Sequence, residues 1–326
     1  MSKPDFVPTT FRPDRKKAVK KLQTLAFGPK DSPAEFREKL KKALYTPFIP
    51  NRVACKTRTS GGIAYDELVP QVFIEGRVIF YIHGGAFVAG TYECWRPFTA
   101  CLANACSARL FIPNYRPAPS YAFPSALEDI QNVFAEIHAA ETVSAAVGGA
   151  PFELIIAADG SGASPALALI HSMKERIRRE IRQILLFSPW LDLSPEALVF
   201  AKKKNADEVL SAEGMRASAE LYTYSANMHN PLVSPLCSPP EEYRGFPPVY
   251  IQLGEREIIL PDVQRFCAVL EAQSVPCTLD AAPDMMHMFQ MADEFLEESS
   301  LAVERAGRAV KARCEPPGDS PEVFFQ

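Results

Sequence analysis

The glycines mark the first residues with chemical potential. The 326 residues hold only 16 Gly against 29 Pro, so a Gly cluster points to a place that needs backbone freedom. One such place is Tyr81-Ile82-His83-Gly84-Gly85-Ala86-Phe87, directly after a β-rich run. Two glycines at a strand's end let the chain turn sharply and aim N–H groups into a cleft, where such pairs stabilise a developing oxyanion. The plainer reading is a tight turn around a packed His83. The five His form no metal-ligating cluster, the eight Cys form no CxxC pair, and the Gly pairs are not phosphate-binding loops. No metal or cofactor is expected.

The elements around this loop follow from periodicity. β-rich runs fall at 51–58, 68–74, 77–82, 109–113, 153–158, 183–188, 248–253 and 276–280. From the third onward, helical stretches separate them, notably 95–107, 124–140, 161–180 and 262–274. Alternating strands and helices predict a mostly parallel sheet covered on both faces. The first two strands have no helix between them and are expected to pair antiparallel. Ahead of them, Ser32-Pro33-Ala34-Glu35 reads as a capping box opening a helix over 32–44, and Arg12–Lys21 reads as a second helix. Residues 195–245 break the alternation with Lys202-Lys203-Lys204, a helix expected at 213–228 and a Pro-rich exit. The expected organisation is an N-terminal helical segment (1–49), a first core half (50–194), an insertion over the sheet (195–245), a second core half (246–313) and a tail (314–326) in which Phe324-Phe325 could dock.

Composition fits a globular protein: 47% hydrophobic and 23% charged residues, with a net charge of −4. Interspersed charges argue against a nucleic-acid partner, which needs a basic stripe. The polar start Met1–Asp5 is not a signal peptide and no apolar run is long enough to span a membrane, so a cytoplasmic protein with reduced thiols is expected.

Two further stretches carry a resemblance: Asn114-Tyr115-Arg116-Pro117-Ala118-Pro119 with Phe123-Pro124-Ser125-Ala126-Leu127-Glu128-Asp129, and Ser188-Pro189-Trp190-Leu191-Asp192. Together with the His83–Ala86 loop they resemble the hormone-sensitive-lipase branch of the α/β-hydrolase family over roughly residues 50 to 305. The resemblance implies an α/β-hydrolase fold: an eight-stranded, mostly parallel sheet with helices on both faces, and a cap built from the N-terminal helices and the 195–245 insertion. It also implies an oxyanion hole at Gly84 and Gly85, with His83, Ala86, Asp159 and Met286 at the substrate. Family members often dimerise, so a homodimer is open alongside a monomer.

The family triad runs Ser, Asp/Glu, His along the chain. Pro283-Asp284-Met285-Met286-His287-Met288-Phe289 resembles the loop after the last strand and gives His287 the general-base position. Leu253-Gly254-Glu255-Arg256-Glu257-Ile258 holds the acid; Glu257 is favoured over Glu255. The nucleophile departs from the pattern. The family elbow reads G-D-S-A-G-G, and here the strand runs into Ala158-Asp159-Gly160-Ser161-Gly162-Ala163. Without a gap, Gly160 takes the nucleophile position and Ser161 falls one residue late, its backbone N–H becoming an oxyanion donor.

Three readings follow. The favoured one is a non-hydrolytic enzyme in which Glu257 and His287 move protons on a small apolar carbonyl compound held at the oxyanion hole, as in cyclisation, condensation or elimination. The second is a carboxylesterase using Ser161 as nucleophile. The third is a small-molecule binding protein, like the family's plant hormone receptors, which typically lose the base that this chain keeps.

Overall fold

The computed structural model describes residues 13–197 and 207–314. Lys202–Lys204 and the tail from 315 lie outside them. Eight strands form one sheet: β1 (Ala54–Ser60), β2 (Ile63–Val69), β3 (Arg77–Ile82), β4 (Arg109–Pro113), β5 (Glu153–Asp159), β6 (Ile181–Phe187), β7 (Val249–Gly254) and β8 (Cys277–Ala282). Their spatial order is β1-β2-β4-β3-β5-β6-β7-β8. The β1/β2 and β2/β4 pairs are antiparallel and all others parallel. β3, β5 and β7 are buried along their whole length, as expected where helices cover both sheet faces.

The helices are α1 (Arg15–Leu22), α2 (Pro33–Leu44), α3 (Tyr92–Cys106), α4 (Ser125–Gly148), α5 (Ala163–Ser172), the short α6 (Glu175–Arg178), α7 (Ala212–Tyr222), α8 (Leu260–Ala272) and α9 (Glu297–Cys314). α2 starts on the capping box: the Ser32 hydroxyl accepts from the Glu35 N–H, and the Glu35 carboxylate accepts from the Ser32 N–H. Its Phe36, Leu40 and Leu44 pack into the same apolar cluster as α3 and α9. α4, α5 and α8 pack the opposite face. A smaller cluster over the strand ends joins Phe87, Trp190, Met215, Tyr222 and Ile259.

Several boundaries differ from the sequence reading. The second strand runs over 63–69, not 68–74. Gly61 and Gly62, both at positive φ, make a two-residue hairpin turn that pairs Ser60 with Ile63, while Val72 in the apolar run beyond Pro70 is 76% exposed. The helix expected over 161–180 breaks at Met173, and the one expected over 213–228 ends at Tyr222 and gives way to a 3-10 turn, Ser225–Asn227. α9 packs along α3 where Gly307 lets the helices touch; a Cβ there would lie 2.5 Å from the Ala105 carbonyl oxygen.

Candidate active site

Four strands deliver the site from their C-terminal ends, the position where open α/β sheets bind ligands. The loop after β3 carries His83–Phe87, β5 runs into Gly160 and Ser161, the turn after β7 carries Glu257, and the loop after β8 carries His287. β6, between β5 and β7, ends at Phe187, and Ser188 follows it.

Glu257 is wholly buried. Its Oε1 accepts from the Ser188 hydroxyl (2.7 Å) and the Gly254 N–H (2.6 Å), and its Oε2 lies 2.9 Å from His287 Nδ1. Glu255, the competing acid, is exposed. The carboxylate fixes the imidazole tautomer: Nδ1 donates to it, leaving the Nε2 lone pair free. Burial of the ring pushes its pKa down; the hydrogen bond and charge of Glu257, helped by Asp207 and Asp159, outweigh that and raise it above 6.5. Ser188, held at φ 46°, ties the acid and base loops together, because its hydroxyl also accepts from the Met288 N–H at 3.1 Å.

Gly160 faces the imidazole. It sits at φ +48°, and an ideal Cβ on it would lie 3.8 Å from His287 Nε2 and 3.9 Å from Cε1, with no other atom of the described residues within 4 Å apart from its own chain neighbours. Its carbonyl accepts from the Trp190 N–H. A positive φ of this kind is adopted at little cost by a residue without Cβ. Ser161, one step on, directs its hydroxyl at the oxyanion loop, where Oγ accepts from the Phe87 N–H at 3.1 Å. Gly162 lets the helix start press against β3: a Cβ there would meet the Ile82 carbonyl oxygen at 2.4 Å.

In the loop after β3, Gly84 and Gly85 differ from each other in what their N–H groups face. The Gly84 N–H donates to Asp159 Oδ1 (2.9 Å), which also accepts from the Tyr81 hydroxyl (2.7 Å). Gly84 is therefore a brace, and among the described residues no acceptor is bonded to the N–H groups of Gly85 and Ala86, which border the cavity. Gly85 sits at φ +110° with the Ala89 carbonyl oxygen 2.1 Å from where a Cβ would be. Ala86 and Phe87 also hold positive φ, strain of the kind that persists only when neighbours enforce it. Arg37 of α2 supplies such enforcement through bonds to the Val88 and Ala118 carbonyls. The Ser161 N–H, near the start of a 3-10 turn, has no intrahelical acceptor.

Three expected substrate contacts lie elsewhere or do other work. His83 is 1% exposed, sandwiched between Tyr115 and Trp95, with Nδ1 bonded to the Gly84 carbonyl. Burial lowers its pKa to about 4, so it is a neutral packed ring. Met286 is fully buried in the core, and its neighbour Met288 borders the cavity instead. Asp159 borders the cavity, but its Oδ1 serves the Tyr81–Gly84 brace; burial, opposed by those donors and by His287, raises its pKa to about 6.

The cavity itself is narrow, ≈ 40 Å³. Gly160, Ser161, Gly85, Ala86 and His287 form its polar side, and Leu25, Phe27, Trp190, Leu210, Met215 and Ile259 its apolar roof. The roof closes tightly because Gly214 of α7 lets the Phe27 carbonyl oxygen pass; a Cβ there would lie 2.0 Å from it. Among the described residues no cluster of His, Cys, Asp and Glu could hold a metal, and no helix is long and apolar enough to cross a membrane.

Sequence reasoning missed Ser188 and Asp207. Ser188 opened one of the resembling stretches without receiving a role. Asp207 accepts from the Ile258 N–H beside Glu257 and from the N–H groups of Val209 and Leu210; only tertiary contact makes that visible.

Comparison with known proteins agrees with this fold. A family described as alpha/beta hydrolase fold matches residues 79–291. The chain is 31% identical over 245 residues to an esterase of Acinetobacter venetianus, covering 74% of this chain and 77% of that one. It is 28% identical over 233 residues to an acetyl-hydrolase of Streptomyces hygroscopicus, covering 72% and 75%. A solved esterase of the bacterial hormone-sensitive lipase family superposes with a TM-score of 0.79 at 22% identity, over 92% of this chain and 98% of that one.

Proposed function

We propose that this chain, which belongs to the hormone-sensitive-lipase-like branch of the α/β-hydrolase family, hydrolyses small carboxylic esters with a water molecule that His287 activates directly. The observation that carries this reading is the open place over Gly160, one side-chain length from His287 Nε2. The ester carbonyl oxygen sits on the N–H groups of Gly85, Ala86 and Ser161. Water in the Gly160 place gives a proton to His287 Nε2 as its oxygen bonds to the acyl carbon. The tetrahedral oxyanion then collapses, and His287, held and charged by Glu257, returns the proton to the leaving alcohol. A positioned base supplies about 10²–10⁴-fold, and each oxyanion donor about 10²–10³-fold.

Relatives named esterase and acetyl-hydrolase favour ester chemistry over the cyclisation, condensation or elimination first expected of the same dyad. A second reading makes Ser161 the nucleophile, since Ser161 borders the same cavity as His287. Against it, the Ser161 Oγ is turned to the Phe87 N–H, from which it accepts a hydrogen bond. Turnover of p-nitrophenyl acetate by Ser161→Ala and His287→Ala separates the two: activity that survives the first and is lost in the second supports water; loss in both supports Ser161.

A further inference from the structure

Two of the cysteines meet on the sheet's far side from Gly160. The Cys277 thiol donates to Cys267 Sγ at 3.5 Å. We propose that this pair is a modification site, at which a hydroperoxide converts two thiols into a disulfide that clamps α8 to β8. The proposal stands apart from the hydrolysis reading.

The fold brings the pair together. Cys267 lies on α8 and Cys277 opens β8, and both pack against the same apolar cluster. Closing the sulfurs to a bond of about 2.05 Å needs a movement of only about 1.5 Å. Both residues are half-buried and border a surface depression of ≈ 460 Å³ with Glu271, Ser274, Pro276 and Leu279. A small hydroperoxide can reach them there.

The hydrogen bond also decides which sulfur reacts first. Donation from Cys277 favours a thiolate on Cys267 and lowers its pKa, against burial, which raises it. The same bond, with burial, raises that of Cys277. Burial pushes Cys55, Cys237 and Cys314 up to about 11, and Cys106 up to about 12. The thiolate is the nucleophile, so Cys267 leads.

Its sulfur attacks the terminal oxygen of R–OOH, the O–O bond breaks, and RO⁻ takes up the proton that Cys267 had released. The Cys277 sulfur then attacks the sulfenic sulfur, and the hydroxyl leaves with the Cys277 proton as water. Two thiols are oxidised by two electrons, and R–OOH is reduced to R–OH and water. The clamp matters because β8 is the edge strand, bonded to β7 alone in the described sheet. It joins the helix that follows the Glu257 turn to the strand that leads to the His287 loop.

The test treats the full chain, reduced with dithiothreitol and desalted, with hydrogen peroxide under native conditions. Non-reducing peptide mass spectrometry should find the Cys267 and Cys277 peptides joined within one chain, two hydrogens lighter. Tm should rise by about 5 °C and fall back when dithiothreitol is added. In Cys277→Ser the second thiol is gone, so dimedone should trap a sulfenic acid on Cys267 and Tm should not rise. Counting thiols with N-ethylmaleimide reads the same loss of two in wild type, with no variant needed. The proposal is overturned if both cysteines stay free, if they join other cysteines instead, or if the bond forms without raising Tm.

Discussion

Gly160 stands where His287 would meet a nucleophile: an ideal Cβ on the glycine lies 3.8 Å from Nε2. A serine oxygen, one bond beyond that Cβ, can be turned to within the reach of about 2.6–3.2 Å that a general base needs. On the proposed reading, Glu257 is the acid and His287 the base of a site whose elbow carries no side chain.

Restoring that side chain should restore the usual chemistry. Gly160→Ser is expected to raise p-nitrophenyl acetate turnover by about 10²-fold and to introduce covalent labelling by a fluorophosphonate at residue 160. The positive φ of 48° at this position makes a non-glycine residue strained by about 1–3 kcal/mol, to be read as a lowered Tm. Turnover unchanged in a folded variant would show that His287 does not face the elbow productively.

The pH dependence follows from His287. Its Nε2 must be unprotonated to accept a proton, and its raised pKa keeps it protonated to a higher pH than a free imidazole. kcat/KM should therefore rise with pH through a midpoint above 6.5. Glu257→Gln removes the charge that sets this shift, so the midpoint should move down. The rate should drop by up to about 10⁴-fold, because an amide can stabilise the wrong tautomer.

Gly85→Ala tests the oxyanion loop. Its Cβ would sit 2.1 Å from the Ala89 carbonyl oxygen at φ +110°, so the loop must shift. The expected result is a loss of about 10²–10³-fold in kcat, with KM far less affected. Gly84→Ala also clashes, at 2.5 Å from Asp159 Oδ2, but through the brace.

Ser188→Ala removes the hydroxyl shared by Glu257 and the Met288 N–H. Leaving both buried partners short of a bond costs about 1–3 kcal/mol, measurable as a lower urea midpoint. The activity midpoint in pH should shift with it, a change that loss of stability alone does not produce.

Much of this was legible in the sequence where one element decides the outcome. β3 and β4 run over 77–82 and 109–113 as their apolar runs suggest, and α2 starts at its capping box. The Gly61-Gly62 turn was equally local, but the exposed run at 72–74 drew the second strand past it. The site was legible to the level of loops, and which atom does what was not. Gly84 and Gly85 look equivalent in the chain; Asp159, 75 residues away in sequence, takes the Gly84 N–H and leaves the free donors one residue later. His83 likewise has the residue type of a ligand, and only the rings of Trp95 and Tyr115 on either side reveal it as packing.

Intact-protein mass spectrometry during turnover of p-nitrophenyl acetate tests the central claim most directly. Water acting from the Gly160 place predicts an unmodified wild-type chain throughout His287-dependent turnover, and an acetyl adduct only in Gly160→Ser. An acetyl adduct that accumulates on Ser161 of the wild type and turns over at the catalytic rate would contradict it.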